Sequence, residues 1–259
     1  MNSESKVVII TGAARGIGKA CADRFAEEGY RIAVVDWEEE AGKAAADHLA
    51  SLGAEALFCH ADVSKEKDCH HFADKAVETF GRIDVLVANA GIRVFGTVLE
   101  STEEDWDRML AVNLKGVNFS CKAVLPRMIE QKSGAIVLIG STTALTGRTN
   151  MPIYDVTKFG VLSLSRSLAA TYGRHGIRVN TICPAKTITE FHINRARAEG
   201  ISEEEFRKQF EDYGLLGRAA EPRDIAAAVY FMASEDAAFI TGQCLMVDGG
   251  YSIGAKPFT

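Results

Sequence analysis

The chain has 259 residues, of which 47% are hydrophobic and 25% charged, and its formal net charge at pH 7 is −6. This composition is typical of a globular protein with a sizeable core, arranged as one large α/β domain or two small ones. Acidic and basic residues are mixed along the chain, so no basic tract indicates a nucleic-acid partner and no acidic tail indicates disorder.

The start of the chain and its cysteines bear on where the protein works. The segment MNSESKVVII (1–10) lacks the basic start and the apolar stretch of a signal peptide. No uncharged apolar run approaches the ~18 residues that span a membrane. Six cysteines stand singly at 21, 59, 69, 121, 183 and 244, which is not the spacing of a disulfide framework. We therefore expect a cytoplasmic protein with no membrane partner.

One stretch, CHADVSKEKDCHH (59–71), combines two cysteines with three histidines. Zinc ligands are usually paired at a spacing of about two to four residues, and this stretch has no Cys-x-x-Cys pair. We therefore interpret it as structural or surface sequence and expect no metal site.

Short β-branched runs alternate with longer helical patterns along almost the whole chain. The runs predicted as strands are 6–10, 31–36, 54–59, 84–89, 134–139, 177–182 and 244–247. They are continuously apolar, as expected of parallel strands covered on both faces. The segments predicted as helices are 17–29, 38–52, 65–80, 103–131 with a break near Asn113, 153–174 and 222–233.

This alternation predicts an α/β fold, a doubly wound parallel sheet with helices on both faces. No repeat, linker or composition break divides the chain, so we expect a single domain over 1–259. The segment 184–217 is charged, amphipathic and longer than an ordinary strand–helix connection. Such connections are commonly lids or binding loops, and we expect one or two mobile helices that close over a substrate.

The stretch TGAARGIG (11–18) follows the first predicted strand and opens the first predicted helix. Its glycines at 12, 16 and 18 allow a tight turn and the close approach of phosphates, whose charge the helix N-terminus stabilises. The context predicts a dinucleotide-binding loop.

Asp36 ends the second predicted strand, where a carboxylate can accept a hydrogen bond from a ribose 2′-hydroxyl. A 2′-phosphate there would be repelled by about 4 kcal/mol per pair of unit charges at ~4 Å and an effective permittivity of ~20. Arg15 offsets part of this repulsion, but Asp36 would occupy the position of the phosphate. We therefore expect NAD(H) rather than NADP(H).

The stretch YDVTK (154–158) follows GRTNMP and, if helical, places Tyr154 and Lys158 on one helix face. On its own this pair is either an ordinary surface pair or an acid–base unit.

The motifs together resemble those of the short-chain dehydrogenase/reductase family along essentially the whole chain. In chain order they are TGAARGIG (11–18), DV (62–63), NAG (89–91), VNLKG (112–116), GSTTA (140–144), YDVTK (154–158) and VDGG (247–250). The resemblance implies a seven-stranded Rossmann-type sheet, with a cofactor half at about 1–140 and a catalytic and substrate-lid half at about 141–259. It also implies a homotetramer or homodimer, paired through 103–131, 153–174 and the last strand.

Most of the cofactor-binding residues follow from this resemblance. The full set that we expect around NAD is Gly12, Arg15, Gly16, Ile17, Gly18, Asp36, Asp62, Val63, Asn89, Ala90, Gly91, Tyr154, Lys158, Pro184, Thr187 and Thr189. Asp62 would contact the adenine, and Thr187 and Thr189 the nicotinamide carboxamide. Asn89 to Gly91 would line the cleft, support the sheet, or do both. Ala185 stands where the family commonly has glycine, which leaves the path of this loop open.

Tyr154 is the expected catalytic base. The ordinary tyrosine pKa of about 10 would have to fall by two to three units, which takes roughly 3–4 kcal/mol of preferential stabilisation of the phenolate. Lys158 and an oxidised nicotinamide can supply this stabilisation. Ser141 would bind the substrate oxygen, and Asn113 resembles the family residue that anchors a water for proton relay, although a buried asparagine that bonds backbone is the alternative.

The substrate is less well defined by the sequence. Polar or basic side chains are predicted near the pocket at Arg93, Arg148, Asn150, Lys186 and His192, with Asn194 and Arg195 beside them. Together they favour a polyhydroxylated or anionic substrate over a steroid, and specifically a sugar, sugar acid or polyol, since an apolar ligand would leave such groups buried and unpaired. The alternatives are a 3-oxoacyl-thioester reductase, an enzyme of less polar alcohols, and a non-catalytic nucleotide-binding protein.

Overall fold

Seven parallel strands form one sheet, as predicted. They are β1 (Val7–Thr11), β2 (Arg31–Asp36), β3 (Ala56–His60), β4 (Val85–Ala88), β5 (Gly134–Ile139), β6 (Ile177–Pro184) and β7 (Cys244–Val247). Their order across the sheet is β3-β2-β1-β4-β5-β6-β7. The computed structural model describes residues 5–211 and 213–254. The expectations that concern residues 1–4, Asp212 and residues 255–259 lie outside the described residues.

Ten α-helices lie in the described part of the chain. They are α1 (Gly16–Glu27), α2 (Glu39–Ser51), α3 (Glu66–Phe80), α4 (Glu103–Leu110), α5 (Gly116–Gln131), α6 (Thr143–Thr146), α7 (Pro152–Tyr172), α8 (Glu190–Ala198), α9 (Glu203–Lys208) and α10 (Pro222–Ala233). Short 3₁₀ turns occupy Gly173–His175, Glu235–Ala237 and Tyr251–Ile253. No helix in these described ranges is both long enough and apolar enough to cross a bilayer.

The strand β1 shows why the predicted runs are continuously apolar. Successive side chains of a strand point to opposite faces. Val8 and Ile10 accordingly belong to the core on one face of the sheet, with Phe25 of α1. Ile9 belongs to the core on the other face, with Phe72 of α3. Both faces are covered, so each position is apolar whichever way it points.

The strand order changes direction between β1 and β4, which are neighbours in the sheet but not in the chain. A crevice opens at such a switch point, outside the carboxyl ends of the strands. The loops that follow β1 and β4 are the ones that carry TGAARGIG and NAG. The topology thus brings the two motifs to one place.

The break predicted near Asn113 is a π-helical turn, Ala111–Lys115, between α4 and α5. The amide of Gly116 donates to the carbonyl of Ala111, the i→i+5 bond of a π turn. Such turns occur frequently at functional sites because they reorient one or two side chains. Here the turn buries Asn113 completely.

The segment 184–217 departs from the pattern as expected and holds two short helices, α8 and α9. Ile188, Ile193 and Ala219 form a small core of their own here, against Phe206 and Phe210. The strand β6 also runs two residues further than predicted, to Pro184. That these helices move to close over a substrate stays a prediction.

Candidate active site

One large cavity lies at the carboxyl ends of the strands, with a volume of about 1520 Å³. Sites for a single drug-sized ligand usually measure roughly 300–1,000 Å³. The cavity therefore has room for a dinucleotide and a second molecule beside it. All the predicted cofactor residues line it except Gly18, which lies behind the loop.

The glycine-rich loop is shaped by close packing as well as by its turn. Gly12 and Gly16 have φ values of +65° and +57°, which disfavour other residues. A Cβ on Gly12 would lie 2.9 Å from the Cα of Ala90, and one on Gly18 only 2.0 Å from the carbonyl oxygen of Gly12. The third glycine thus permits the helix to pack on the strand, as in dinucleotide-binding folds.

Asn89 holds this loop against β4. Its Nδ2 donates to the carbonyls of Thr11 and Gly12, each at 2.9 Å, and its amide donates to Thr11 Oγ1 at 3.1 Å. Asn89 thus supports the sheet through these bonds, and it also lines the cavity.

Asp36 is buried beside the loop, with 7% of its surface exposed. Its Oδ2 accepts from the amide of Ala14 at 2.9 Å and its Oδ1 from the amide of Glu38 at 3.1 Å. Each oxygen retains a further lone pair for a ribose hydroxyl. Arg15 pairs with Glu38 at 2.8 Å, but both side chains are substantially exposed. Such a pair contributes at most about 1 kcal/mol, so the local charge is set by Asp36.

Asp62, Val63 and the exposed Trp37 line one end of the cavity, and contact of Asp62 with the adenine stays a prediction. Asp62 Oδ1 accepts from the amide of Ser64 at 2.9 Å, which fixes the carboxylate. Val63 packs under Gly116, where a Cβ would approach Val63 Cγ2 to 2.8 Å.

Tyr154 and Lys158 lie on one face of the first turns of α7, which begins at Pro152, a favourable first helical position. Both side chains are buried, and Lys158 Nζ lies 5.6 Å from the centre of the Tyr154 ring. Lys158 Nζ donates to the carbonyl of Ile139 at the end of β5, at 2.8 Å. Ser141 follows two residues later and lines the same cavity.

The electrostatic surroundings favour the ionised form of Tyr154. Burial raises the pKa of this phenol, but the charges of Lys158 and Arg93, with hydrogen bonds from Arg93 and Ser141, outweigh burial and lower it below its ordinary value. Burial lowers the pKa of Lys158, and the facing Tyr154 opposes that effect. The lysine and the tyrosine are therefore coupled, and each changes the protonation of the other.

Asn113 is fully buried and does not line the cavity. Its Oδ1 accepts from the amide of Ile92 at 2.8 Å, and its Nδ2 donates to the carbonyl of Ile92 at 2.9 Å. Nδ2 also lies 3.3 Å from Thr157 Oγ1, on α7. The side chain therefore ties the loop after β4 to α7. Its role in holding a relay water stays a prediction.

The family is decided by comparison with known sequences. The family model adh_short_C2, described as enoyl-(acyl carrier protein) reductase, matches residues 12–252. The chain belongs to the short-chain dehydrogenase/reductase family. It is accordingly a dehydrogenase that acts on CH–OH groups, in a family that uses nicotinamide cofactors.

Similar members of the family act on small polar molecules, by their names. Meso-2,3-butanediol dehydrogenase of Serratia marcescens is 39% identical over 250 residues, 96% of each chain. D-threitol dehydrogenase of Mycolicibacterium smegmatis is 40% identical over 251 residues, 96% of this chain and 94% of its own. The structure of Thermoplasma acidophilum aldohexose dehydrogenase has a TM-score of 0.85 and 32% identity, and the match covers 99% and 97% of the two chains.

The substrate side of this short-chain dehydrogenase/reductase is strongly basic. Of the side chains predicted there, those that line the cavity are Arg93, Arg148, Lys186, His192, Asn194 and Arg195. Asn150 does not line it. Asn150 is exposed in a left-handed turn, φ +60°, and its carbonyl accepts from the amide of Gly96 at 2.9 Å. The structure therefore does not bring Asn150 together with the other predicted pocket residues, and its role there stays a prediction.

The loop after β6 accommodates the unusual Ala185 without strain. Ala185 keeps a negative φ, and its amide donates to the carbonyl of Val247 at 3.3 Å. Thr187 then pairs with Ala220 in a parallel bridge. The departure from glycine therefore leaves a continuous path that brings Pro184, Thr187 and Thr189 to the cavity.

Several site residues escaped the sequence reasoning. Thr143 Oγ1 lies 2.9 Å from Ser141 Oγ and so restricts the serine rotamer; its place inside GSTTA was the available signal. Tyr213 and Tyr251 stack with ring centres 4.8 Å apart and line the cavity. Nothing in the sequence indicates that they meet, because the contact depends on the fold.

Proposed function

We propose that the protein is an NAD-dependent dehydrogenase that transfers hydride between NAD and a hydroxyl or carbonyl group of a polar substrate, a sugar, sugar acid or polyol. The observation that carries this proposal is the buried Tyr154–Lys158 pair beside Ser141, in the same cavity as the glycine-rich loop and Asp36. Loop, buried carboxylate and cavity volume together fit a dinucleotide. When bound, the cofactor supplies the hydride acceptor.

In this proposal the chain performs the proton chemistry. Ser141 donates a hydrogen bond to the substrate oxygen and so holds the hydroxyl against Tyr154. The phenolate form of Tyr154, favoured by Lys158 and Arg93, accepts the hydroxyl proton as the C–H bond releases hydride. Lys158 keeps its ammonium near the phenol through its bond to Ile139. A general base positioned in this way contributes typically ~10²–10⁴-fold to the rate.

NAD rather than NADP is proposed because Asp36 is buried where the 2′ substituent would lie. A buried carboxylate cannot move away from a phosphate without giving up its bonds to Ala14 and Glu38. Both bonds are to the backbone, so the carboxylate also shapes the loop. Support for the polar substrate comes from the basic cavity wall and from the names of the similar dehydrogenases, which act on a diol, a tetritol and aldohexoses.

We also propose a homo-oligomer and a cytoplasmic location, which the exposed side chains and the cysteines support. Val156 and Phe159 lie three residues apart on α7 and are 52% and 55% exposed, which suits a helix that pairs in a homotetramer or homodimer. All six cysteines are free, which suits a reducing cytoplasm.

The test combines turnover with cofactor binding. NAD⁺ is offered with aldoses, sugar acids, polyols and simple secondary alcohols, and Tyr154→Phe is compared with the wild type. The proposal predicts turnover of polar substrates by the wild type, and in the variant a loss of turnover with nearly unchanged NADH affinity. Turnover confined to apolar alcohols, or an active Tyr154→Phe enzyme, would contradict it.

A further inference from the structure

Three cations face the substrate side of the cavity: Arg93, Arg148 and Lys186. Within the described ranges, no carboxylate forms an ion pair with any of them. Arg195 lies beside them but is paired with Glu199 on its own helix at 3.0 Å. Several like charges on one cavity wall create a positive local potential, which favours the entry of an anion.

The surroundings of Lys186 show most clearly that these cations repel one another. It is half-buried, and its ammonium lies 4.9 Å and 5.5 Å from the ring centres of Phe210 and Phe206, a surrounding that holds a cation by its aromatic faces. Burial, followed by the charges of Arg93, Arg148 and Arg195, lowers the pKa of Lys186 to about 8. These four basic groups therefore act on one another across a small space.

His192 connects Arg93 to Thr189, a residue expected to bind the cofactor. Arg93 Nη1 lies 3.2 Å from His192 Nε2. On the other side of the ring, Nδ1 lies 2.9 Å from Thr189 Oγ1 and 3.3 Å from the amide nitrogen of Thr189, so the ring is anchored at the start of α8. Burial and the surrounding cations lower the pKa of His192 to about 3, in agreement with a neutral ring. Arg93 is thus held in place by a neutral acceptor and keeps its full charge for a ligand.

Arg93 also fixes how far the anion stands from the reacting carbon. Its guanidinium carbon lies 5.6 Å from the centre of the Tyr154 ring, and it is within hydrogen-bonding reach of the phenol. A group bound by Arg93 is therefore next to the oxygen bound by Tyr154. The planar fork of arginine suits a carboxylate, which it can bind through two parallel hydrogen bonds.

We propose that the substrate is a hydroxycarboxylate. Its carboxylate binds Arg93, with Arg148 and Lys186 nearby, and is one or two carbons away from the carbon that is oxidised. This rests on the proposed dehydrogenase function. In the reaction the C–H bond gives its hydride to NAD⁺, the hydroxyl gives its proton to Tyr154, and the product is an oxo acid. The carboxylate itself is unchanged.

The acidic residues that share the cavity do not neutralise the cluster. The lining carboxylates are Asp36, Glu38, Asp62, Glu104, Asp107 and Glu190, and none of them forms an ion pair with Arg93, Arg148 or Lys186. The phosphates of a dinucleotide have their own place at the N-terminus of α1, at the glycine-rich loop. The cluster is therefore left for the second ligand.

The experiment measures binding separately from turnover. Calorimetric titration of the enzyme–NADH complex compares aldonic acids with the alditols of the same carbon skeleton, in the wild type, Arg148→Gln and Lys186→Met. Arg197→Gln is the control, because Arg197 is on the same helix as Arg195, is paired with Glu203 and does not line the cavity. NADH affinity is measured for every variant.

We expect the acid to bind at least ~10-fold more tightly than the alditol, since charge-assisted bonds are the stronger ones. We expect Arg148→Gln and Lys186→Met to remove most of this difference while the control keeps it. Equal binding of acid and alditol would overturn the inference, and so would a matching loss of NADH affinity, which would assign the cations to the cofactor. Preferential acid binding without any NAD⁺ turnover would leave the anion site standing and contradict the proposed function instead.

Discussion

Lys158 Nζ lies 5.6 Å from the centre of the Tyr154 ring, and both side chains are buried in the first turns of α7. The amine is held there by its bond to the carbonyl of Ile139, so its position is set by β5 and not only by its own helix. The geometry of the proposed acid–base pair therefore depends on the register between a strand and a helix.

Replacing the amine should move the pH dependence of the reaction. In Lys158→Met the phenol loses the charge that most lowers its pKa, so its pKa rises. Because the base is active above its pKa, the rising limb of kcat/KM for alcohol oxidation shifts to higher pH, and at pH 7 the rate falls by at least ~10²-fold. Steady-state rates from pH 6 to 10 measure this, and an unshifted limb would show that Lys158 does not act on Tyr154.

Removing the buried carboxylate should weaken discrimination between the cofactors. In Asp36→Ser the repulsion of a 2′-phosphate is lost, and the ratio of kcat/KM for NAD⁺ over NADP⁺ should fall by ~10- to 100-fold. The comparison uses both cofactors with one substrate. An unchanged ratio would mean that another residue selects the cofactor.

The glycine-rich loop should not tolerate a methyl group at its third glycine. In Gly18→Ala the new Cβ would lie 2.0 Å from the carbonyl oxygen of Gly12, so loop or helix must move. Overpacking of this kind costs ~1–3 kcal/mol or more and lowers Tm by several degrees. We expect NADH affinity to fall as well. Gly173→Ala is the matched control, because nothing lies within 4 Å of its Cβ position and its φ is negative. Similar Tm values for the two variants would contradict the packing argument.

Binding of an acidic substrate should weaken at alkaline pH. The pKa of Lys186 is lowered to about 8, so its ammonium is charged below pH 8 and is progressively lost above it. An anion favours the charged form, so binding above pH 8 takes up a proton, and Kd rises with pH by at most ~10-fold per unit. Titrations from pH 7 to 9.5 with the NADH complex test this. Lys186→Met should show a flatter profile, and an identical slope would assign the effect elsewhere.

Much of the fold and the catalytic set could be predicted from the sequence because the signals are local. The run at 7–10 is apolar at every position, which already indicates a strand covered on both faces, and Asn113 marks the π turn. The position of Asn150 outside the cavity depends on a φ of +60°, which the residue types do not determine. The contact between Arg93 and His192 joins residues 99 positions apart, and only the folded chain reveals it.

The most direct test of the account is the ionisation of Tyr154 itself. The phenolate absorbs in the ultraviolet, so a pH titration of the wild type minus Tyr154→Phe isolates this one group among the tyrosines. The account predicts a phenolate that forms below the ordinary tyrosine pKa of about 10, and at higher pH once Lys158 is replaced by Met. A difference spectrum that develops only above pH 10, unchanged by that replacement, would contradict it.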